Sequence, residues 1–163
     1  MRATTRRGLG AGAPRPGGWG LHLRPAAHAD VPAMARILKH WVTATRWMPD
    51  LHTPDQDRAF LAEQVDSAEL VVADHGRIAG FVVRHGTDIT MLYVAETARR
   101  LGVGSALLNR MRRDHPRLSL WTFQPNAEAR AFYAARGGAG GRAHGEPRQR
   151  RTRAGCPAGL ELT

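Results

Sequence analysis

Apolar positions along this chain follow two periods, and the switches between them mark the elements. Leu21-His22-Leu23-Arg24 alternates and reads as a strand. A helix follows, with Asp30 as its N-cap, Pro32 in its first turn, and Met34, Ile37, Leu38 and Trp41 as a buried stripe. Thr53-Pro54 opens a second helix that runs to Val65, with Phe60, Leu61 and Val65 facing inward. Residues 69–74 and 78–85 are β-rich runs joined by His75-Gly76, which predicts a hairpin. Residues 88–94 form a fourth strand that passes through a polar connection into a helix opened near residue 102. After the breaker Pro116, residues 118–123 read as a strand. A last helix starts at Asn126, is rich in Ala, and stops at Gly137. This order predicts an α/β (α+β) domain with a mixed, mainly antiparallel sheet flanked by helices.

The 163 residues suit a single domain with one core. It is expected over residues 21–137, preceded by a disordered Gly/Pro/Arg-rich extension (1–20) and followed by an irregular basic tail (138–163). The tail has no strand pattern before Leu160-Glu161-Leu162, so the C-terminal strands of the sheet are expected to be missing or degraded. No apolar run approaches the roughly 18 residues of a membrane span. Thr5-Arg6-Arg7 is followed by no apolar segment, which argues against secretion, and the single cysteine, Cys156, fits a reducing compartment, the cytoplasm. The formal charge of +10 invites a nucleic-acid reading. Residues 1–20 hold +4 of it and 137–163 hold +3, however, so the central domain is ordinary and nucleic acid is a minor expectation.

The chemistry concentrates in residues 92–108. Leu92-Tyr93-Val94 leads into Arg99-Arg100-Leu101-Gly102-Val103-Gly104-Ser105, where a strand hands over to a helix. Glycines there let the backbone approach an oxyanion, and the helix N-terminus supplies free N–H groups and a positive dipole end. Neither the dinucleotide fingerprint nor the nucleoside-triphosphate loop occurs in the chain. Taken alone, the hexapeptide also fits a glycine-containing helix start with exposed arginines. Downstream stands Asn126-x-x-Ala129-x-x-Phe132-Tyr133-x-x-x-Gly137, with Ala129, Phe132 and Tyr133 on one helix face.

Together, R-x-x-G-x-G after the L-Y-V strand and N-x-x-A-x-x-F-Y-x-x-x-G resemble the GNAT superfamily of N-acetyltransferases. The resemblance covers about residues 21–137 and implies a GNAT-like fold with acetyl-coenzyme A as cosubstrate. It implies that the amides of Arg99, Arg100, Leu101, Gly102, Val103, Gly104 and Ser105 hold the pyrophosphate. Leu92, Tyr93 and Val94 would pair with the pantetheine arm, and Asn126 would touch it. Tyr133 becomes the candidate general acid for the departing thiolate, the alternative being a tyrosine that only packs. Arg100 stands where the family usually has Gly, and Ser105 either caps its helix or touches phosphate.

Trp47, Met48 and His52 fall where the family walls the acceptor side, and they read equally well as substrate-lining or as packing residues. An alkylammonium must lose a proton before it attacks, which calls for a base or a water chain. Asp88 is the first candidate base, Glu69 the second and His52 the third. No His/Cys/Asp/Glu spacing marks a metal site. The tail departs from the family: codons for residues 154–163 read one base later can encode P-D-V-L-L-V-W, then Asn or Ser, then a stop, which suggests a frameshift near Gly137. The expected function is acetyl transfer to a primary amine of a small molecule or protein by direct attack, in a monomer or homodimer. A catalytically impaired remnant that binds coenzyme A without turnover, and a basic nucleic-acid-binding module, are the alternatives.

Overall fold

The computed structural model describes residues 20–138 and the backbone of residues 139–140 and 157–162. Residues 1–19 of the expected extension, Cys156 and the middle of the tail lie outside the described residues. The strands are β1 His22–Pro25, β2 Glu69–Asp74, β3 Ile78–His85, β4 Asp88–Val94, β5 Leu118–Phe123, β6 Gly138–Gly140 and β7 Pro157–Leu162. They form one sheet in the order β1-β2-β3-β4-β5-β7-β6. Every pairing is antiparallel except β4 with β5.

Two helices, α1 Val31–Ala44 and α2 Pro54–Ser67, cover one face of the sheet, and α3 Val103–Asp114 covers the other. The alternation of side chains along β2 shows why both faces need cover. Leu70 and Val72 pack under α1 and α2, while Val71 and Ala73 pack under α3 with Leu107, Leu108 and Met111. Helix α4, Ala127–Ala134, adds the buried Tyr133 to the α3 side.

Local chemistry explains most element ends. Thr53 opens α2 with a reciprocal capping box, its hydroxyl accepting from the Gln56 N–H and the Gln56 side chain accepting from the Thr53 N–H. Asp30 is the residue before α1, but its carboxylate accepts from the Ala27 N–H and takes both guanidinium arms of Arg24, at 2.7 and 2.9 Å, instead of capping the helix. The expected inward face of α2 is corrected in one place. Asp57, Leu61 and Gln64 are buried and Val65 is half-buried, but Phe60 points outward at 39% exposure.

The C-terminal strands, expected to be missing or degraded, are present as β6 and β7. β7 pairs with β5 along its whole length, from Leu118↔Leu162 to Phe123↔Pro157, and β6 pairs with its outer edge. An extended segment satisfies a strand edge through backbone N–H and C=O groups alone, so little side-chain pattern is needed to recruit it.

Candidate functional site

β4 and β5 separate soon after they meet. Their ladder consists of Asp88↔Ser119 and Ile89↔Leu120, and beyond that the strands part. The register of β4 against β3 passes from Val83↔Met91 to Arg84↔Ile89, which leaves Thr90 as the extra residue of a β-bulge. The bulge resets the alternation, so Ile89, Leu92 and Val94 all pack toward α3, while Met91 and Tyr93 pack toward α1. The gap between the strands is a cleft of about 490 Å³. Thr90, Met91, Leu92, Tyr93 and Val94 line one wall and Trp121, Thr122 and Phe123 the other. Unpaired ladder groups on both walls can accept an extended ligand as a further strand.

The open end of the cleft is closed by the loop before α3. Arg99, Arg100, Gly102, Val103, Gly104 and Ser105 all line it; Leu101 lies outside and is 61% exposed. Gly102 precedes α3 with φ of 82°, the left-handed conformation that glycine adopts without strain, and its carbonyl accepts the Ala106 N–H at 2.9 Å. The N–H groups of the first turn of α3 are thereby left for a ligand. Arg100 holds φ of 61°, the only non-glycine residue with positive φ among the described residues. A Cβ on Gly104 would lie 3.3 Å from the Phe132 ring, so glycine there lets α3 and α4 approach. Neither Arg99 nor Arg100 has a carboxylate partner among the described residues.

α4 supplies the facing wall with Asn126, Ala129, Phe132, Tyr133 and Arg136. Asn126 caps the helix by accepting the Ala129 N–H at 3.1 Å, which leaves its NH₂ for a ligand. Tyr133 is 7% exposed, lies edge-on to Phe132, and its hydroxyl has no hydrogen-bond partner among the described residues. Burial, and secondarily the nearby Tyr93, raise its pKa above the ordinary phenol value. Burial, then the negative charge of Asp57, pushes Tyr93 up to about 12. Both phenols therefore keep their protons at neutral pH.

The acceptor-side residues are only partly brought together. Trp47 packs on Trp41 at 5.9 Å and on Phe123 at 5.4 Å, and those two rings line the cleft. Met48 and His52 share its loop without lining the cleft; Lys39 ties that loop to α1 through Asp50 and the His52 carbonyl. Asp88 sits at the vertex where β4 and β5 are still paired, exposed and accepting from the Ser119 hydroxyl. It stands two residues from Thr90, the first cleft-lining residue of β4. Glu69 is held in an ion pair by Arg84 across the β2–β3 ladder, away from the cleft. Among the described residues, no group of three or more His, Cys, Asp or Glu could hold a metal ion, and no helix is long and apolar enough to cross a membrane.

Sequence reasoning missed Trp121 and Arg136 as cleft residues. Trp121 is a half-buried interior residue of an ordinary-looking strand, and a cation beside a helix-ending glycine reads as a complement to the C-terminal dipole. No local signal betrays either one.

Residues 34–138 match the model of a family described as the acetyltransferase (GNAT) family. The chain is 31% identical over 124 residues to the peptidyl-lysine N-acetyltransferase YiaC of Escherichia coli (strain K12), covering 71% of this chain and 81% of that one. Its fold is similar to that of a ribosomal-protein-alanine N-acetyltransferase from Brucella melitensis, with a TM-score of 0.68, 21% identity, and 86% of this chain and 98% of that chain covered. It is also similar to YncA, described as a putative acetyltransferase from Salmonella typhimurium and solved with acetyl-CoA, with a TM-score of 0.65, 19% identity, and 87% and 92% covered.

Proposed function

The chain belongs to the GNAT family of acetyltransferases, and from that membership we propose a direct transfer of acetyl from acetyl-CoA to a primary amine, with both substrates bound in the β4–β5 cleft. The observation that carries this reading is the parting of β4 from β5 beside a glycine-opened helix N-terminus. The residues present fit the cosubstrate. Bare ladder groups of residues 92–94 suit the amides of a pantetheine arm, and the first-turn N–H groups of α3 with Arg99 and Arg100 suit a diphosphate. The NH₂ of Asn126 suits a pantetheine carbonyl.

Acetyl-CoA supplies the acyl group as a thioester, and the chain moves two protons. Asp88 takes, through water, the proton that the ammonium must lose before its nitrogen attacks the carbonyl carbon. Tyr133 donates its hydroxyl proton toward the sulfur as the C–S bond breaks, so the thiol leaves neutral, and the second proton that the attacking nitrogen sheds as the amide forms returns through water to the phenolate. Trp41, Trp47 and Phe123 form an apolar wall for the carbon chain that carries the amine, with Met48 and His52 flanking its approach. The acceptor is a peptide lysine or a small alkylamine; the name of the Escherichia coli relative favours the lysine. The single cysteine supports a cytoplasmic setting.

An impaired remnant would follow from a β5 edge left uncovered, and β7 lies along that edge. Thermal unfolding with and without acetyl-CoA, beside thiol release in the presence of lysine peptides and alkylamines, tests the proposal. At a cosubstrate concentration near one hundred times Kd, stabilisation of about 2.7 kcal/mol is expected, together with amine-dependent thiol release. Stabilisation without release returns the remnant reading. No stabilisation removes the cofactor cleft altogether.

A further inference from the structure

Resting on that reading of the cleft, we propose that Arg136 is a phosphate-binding arm that grips coenzyme A from α4, opposite the backbone loop of α3. Its guanidinium is held before any ligand arrives. Nε and Nη2 donate to the Ser105 hydroxyl oxygen at 3.1 and 2.6 Å, and Nη1 donates to the Phe132 carbonyl at 2.9 Å. The guanidinium carbon lies 3.9 Å from the centre of the Phe132 ring, over its face. Of the five N–H donors of an arginine, these bonds use three and leave two.

Two independent features give those donors a ligand. First, Arg136 is half-buried and lines the cleft, yet no carboxylate lies within 4.0 Å of it among the described residues. A held, uncompensated cation is an unfavourable arrangement unless an anion completes it. Second, Ser105 stands in the first turn of α3, so the guanidinium is docked against the positive end of a helix dipole. A stabilising residue there would be an acid. Cation, free helix N–H groups and Ser105 hydroxyl proton converge on one place, and together they suit a phosphate ester or diphosphate. The grip has a positional consequence, because Arg136 follows Tyr133 by three residues and its N–H bonds the Tyr133 carbonyl at 3.0 Å. Phosphate binding therefore fixes the end of α4 that carries the proton donor.

Calorimetric binding of CoA, 3′-dephospho-CoA and pantetheine to the full chain, for wild type, Arg136→Met and Arg136→Lys, tests the proposal. Arg136→Met keeps the aliphatic stem on Phe132 and removes the charge. The expected result is a loss of about tenfold or more in CoA affinity, less than twofold for pantetheine, and an intermediate loss in Arg136→Lys, which lacks the planar fork. An equal loss with 3′-dephospho-CoA assigns the arm to the diphosphate; a loss confined to CoA assigns it to the 3′-phosphate. Both outcomes support the arm. Equal weakening of CoA and pantetheine would mean that Arg136 only packs α4 on α3, and it overturns the proposal, as does unchanged CoA binding. Failure of the wild type to bind either ligand overturns the cofactor cleft itself, and that result shows in the wild-type arm alone.

Discussion

Tyr133 keeps its proton because of where it sits. Desolvation raises its pKa above the ordinary value near 10, so the hydroxyl is a donor across the physiological range. Tyr133→Phe is expected to lower kcat by about 10²-fold with little change in the KM for acetyl-CoA, and steady-state kinetics separates this from a packing role, in which KM moves instead. Because the pKa is raised, the wild-type rate should show no falling limb from this residue below pH 10. In the proposed mechanism Asp88 takes the other proton. Asp88→Asn is expected to lower kcat/KM by about 10²-fold at pH 7, with the deficit shrinking as pH rises toward the amine's own pKa, since the acceptor then arrives already neutral. A deficit that stays constant across a pH–rate profile would assign Asp88 to structure alone. Arg100 carries a different burden, a left-handed backbone on a residue with a Cβ. Arg100→Gly should relieve up to about 1 kcal/mol of strain, raising Tm by roughly 2–4 °C for a chain of this size, as read by calorimetry.

Elements with strong local punctuation were legible in the chain, and those defined by partners were not. Thr53-Pro54, the turn at His75-Gly76 and the breaker at Pro116 each announced an element within a residue or two of its observed start or end. R-x-x-G-x-G likewise announced the N-terminus of α3. The Thr90 bulge, the early parting of β4 from β5 and the outward turn of Phe60 depend on neighbouring elements, and no local pattern encodes them. The last strand is the extreme case. β7 forms from a segment with almost no alternation because β5 offers it a complete ladder. β7 also has β6 on its other side, at Leu120↔Leu160 and Gly140↔Leu160, so residue 160 lies inside the sheet. Leu160→Pro removes a ladder N–H at an interior position, and a loss of about 3 kcal/mol or more in urea unfolding is expected. A loss below 1 kcal/mol would mean that β7 contributes little to the fold.

At the scale of the molecule, two buried phenols set an alkaline limit. Tyr93, pushed up to about 12, and Tyr133, raised further, both bind their protons more tightly in the folded state than in the unfolded chain. Their contribution is fully present below pH 10 and is lost as pH climbs from 10 through the folded-state values, so urea midpoints should fall between pH 10 and 12. Tyr93→Phe should lessen that fall, and an unchanged pH dependence would remove the account. The frameshift proposed for the tail is tested by genomic sequencing across the Gly137 codon, and a shifted frame with no strand-like continuation removes it. A larger consequence follows from the seam between β4 and β5. Two residue pairs stitch one half of the sheet to the other, and past them the strands present bare edges to each other within a single molecule. Bare edges invite any extended chain, including one from a neighbour. On the proposed placement of the acetyl donor in that gap, the ligand would double as an intramolecular splint: light scattering of the ligand-free protein at 37 °C should exceed that of the CoA-saturated protein, and cellular levels of this chain should follow the supply of its own cosubstrate.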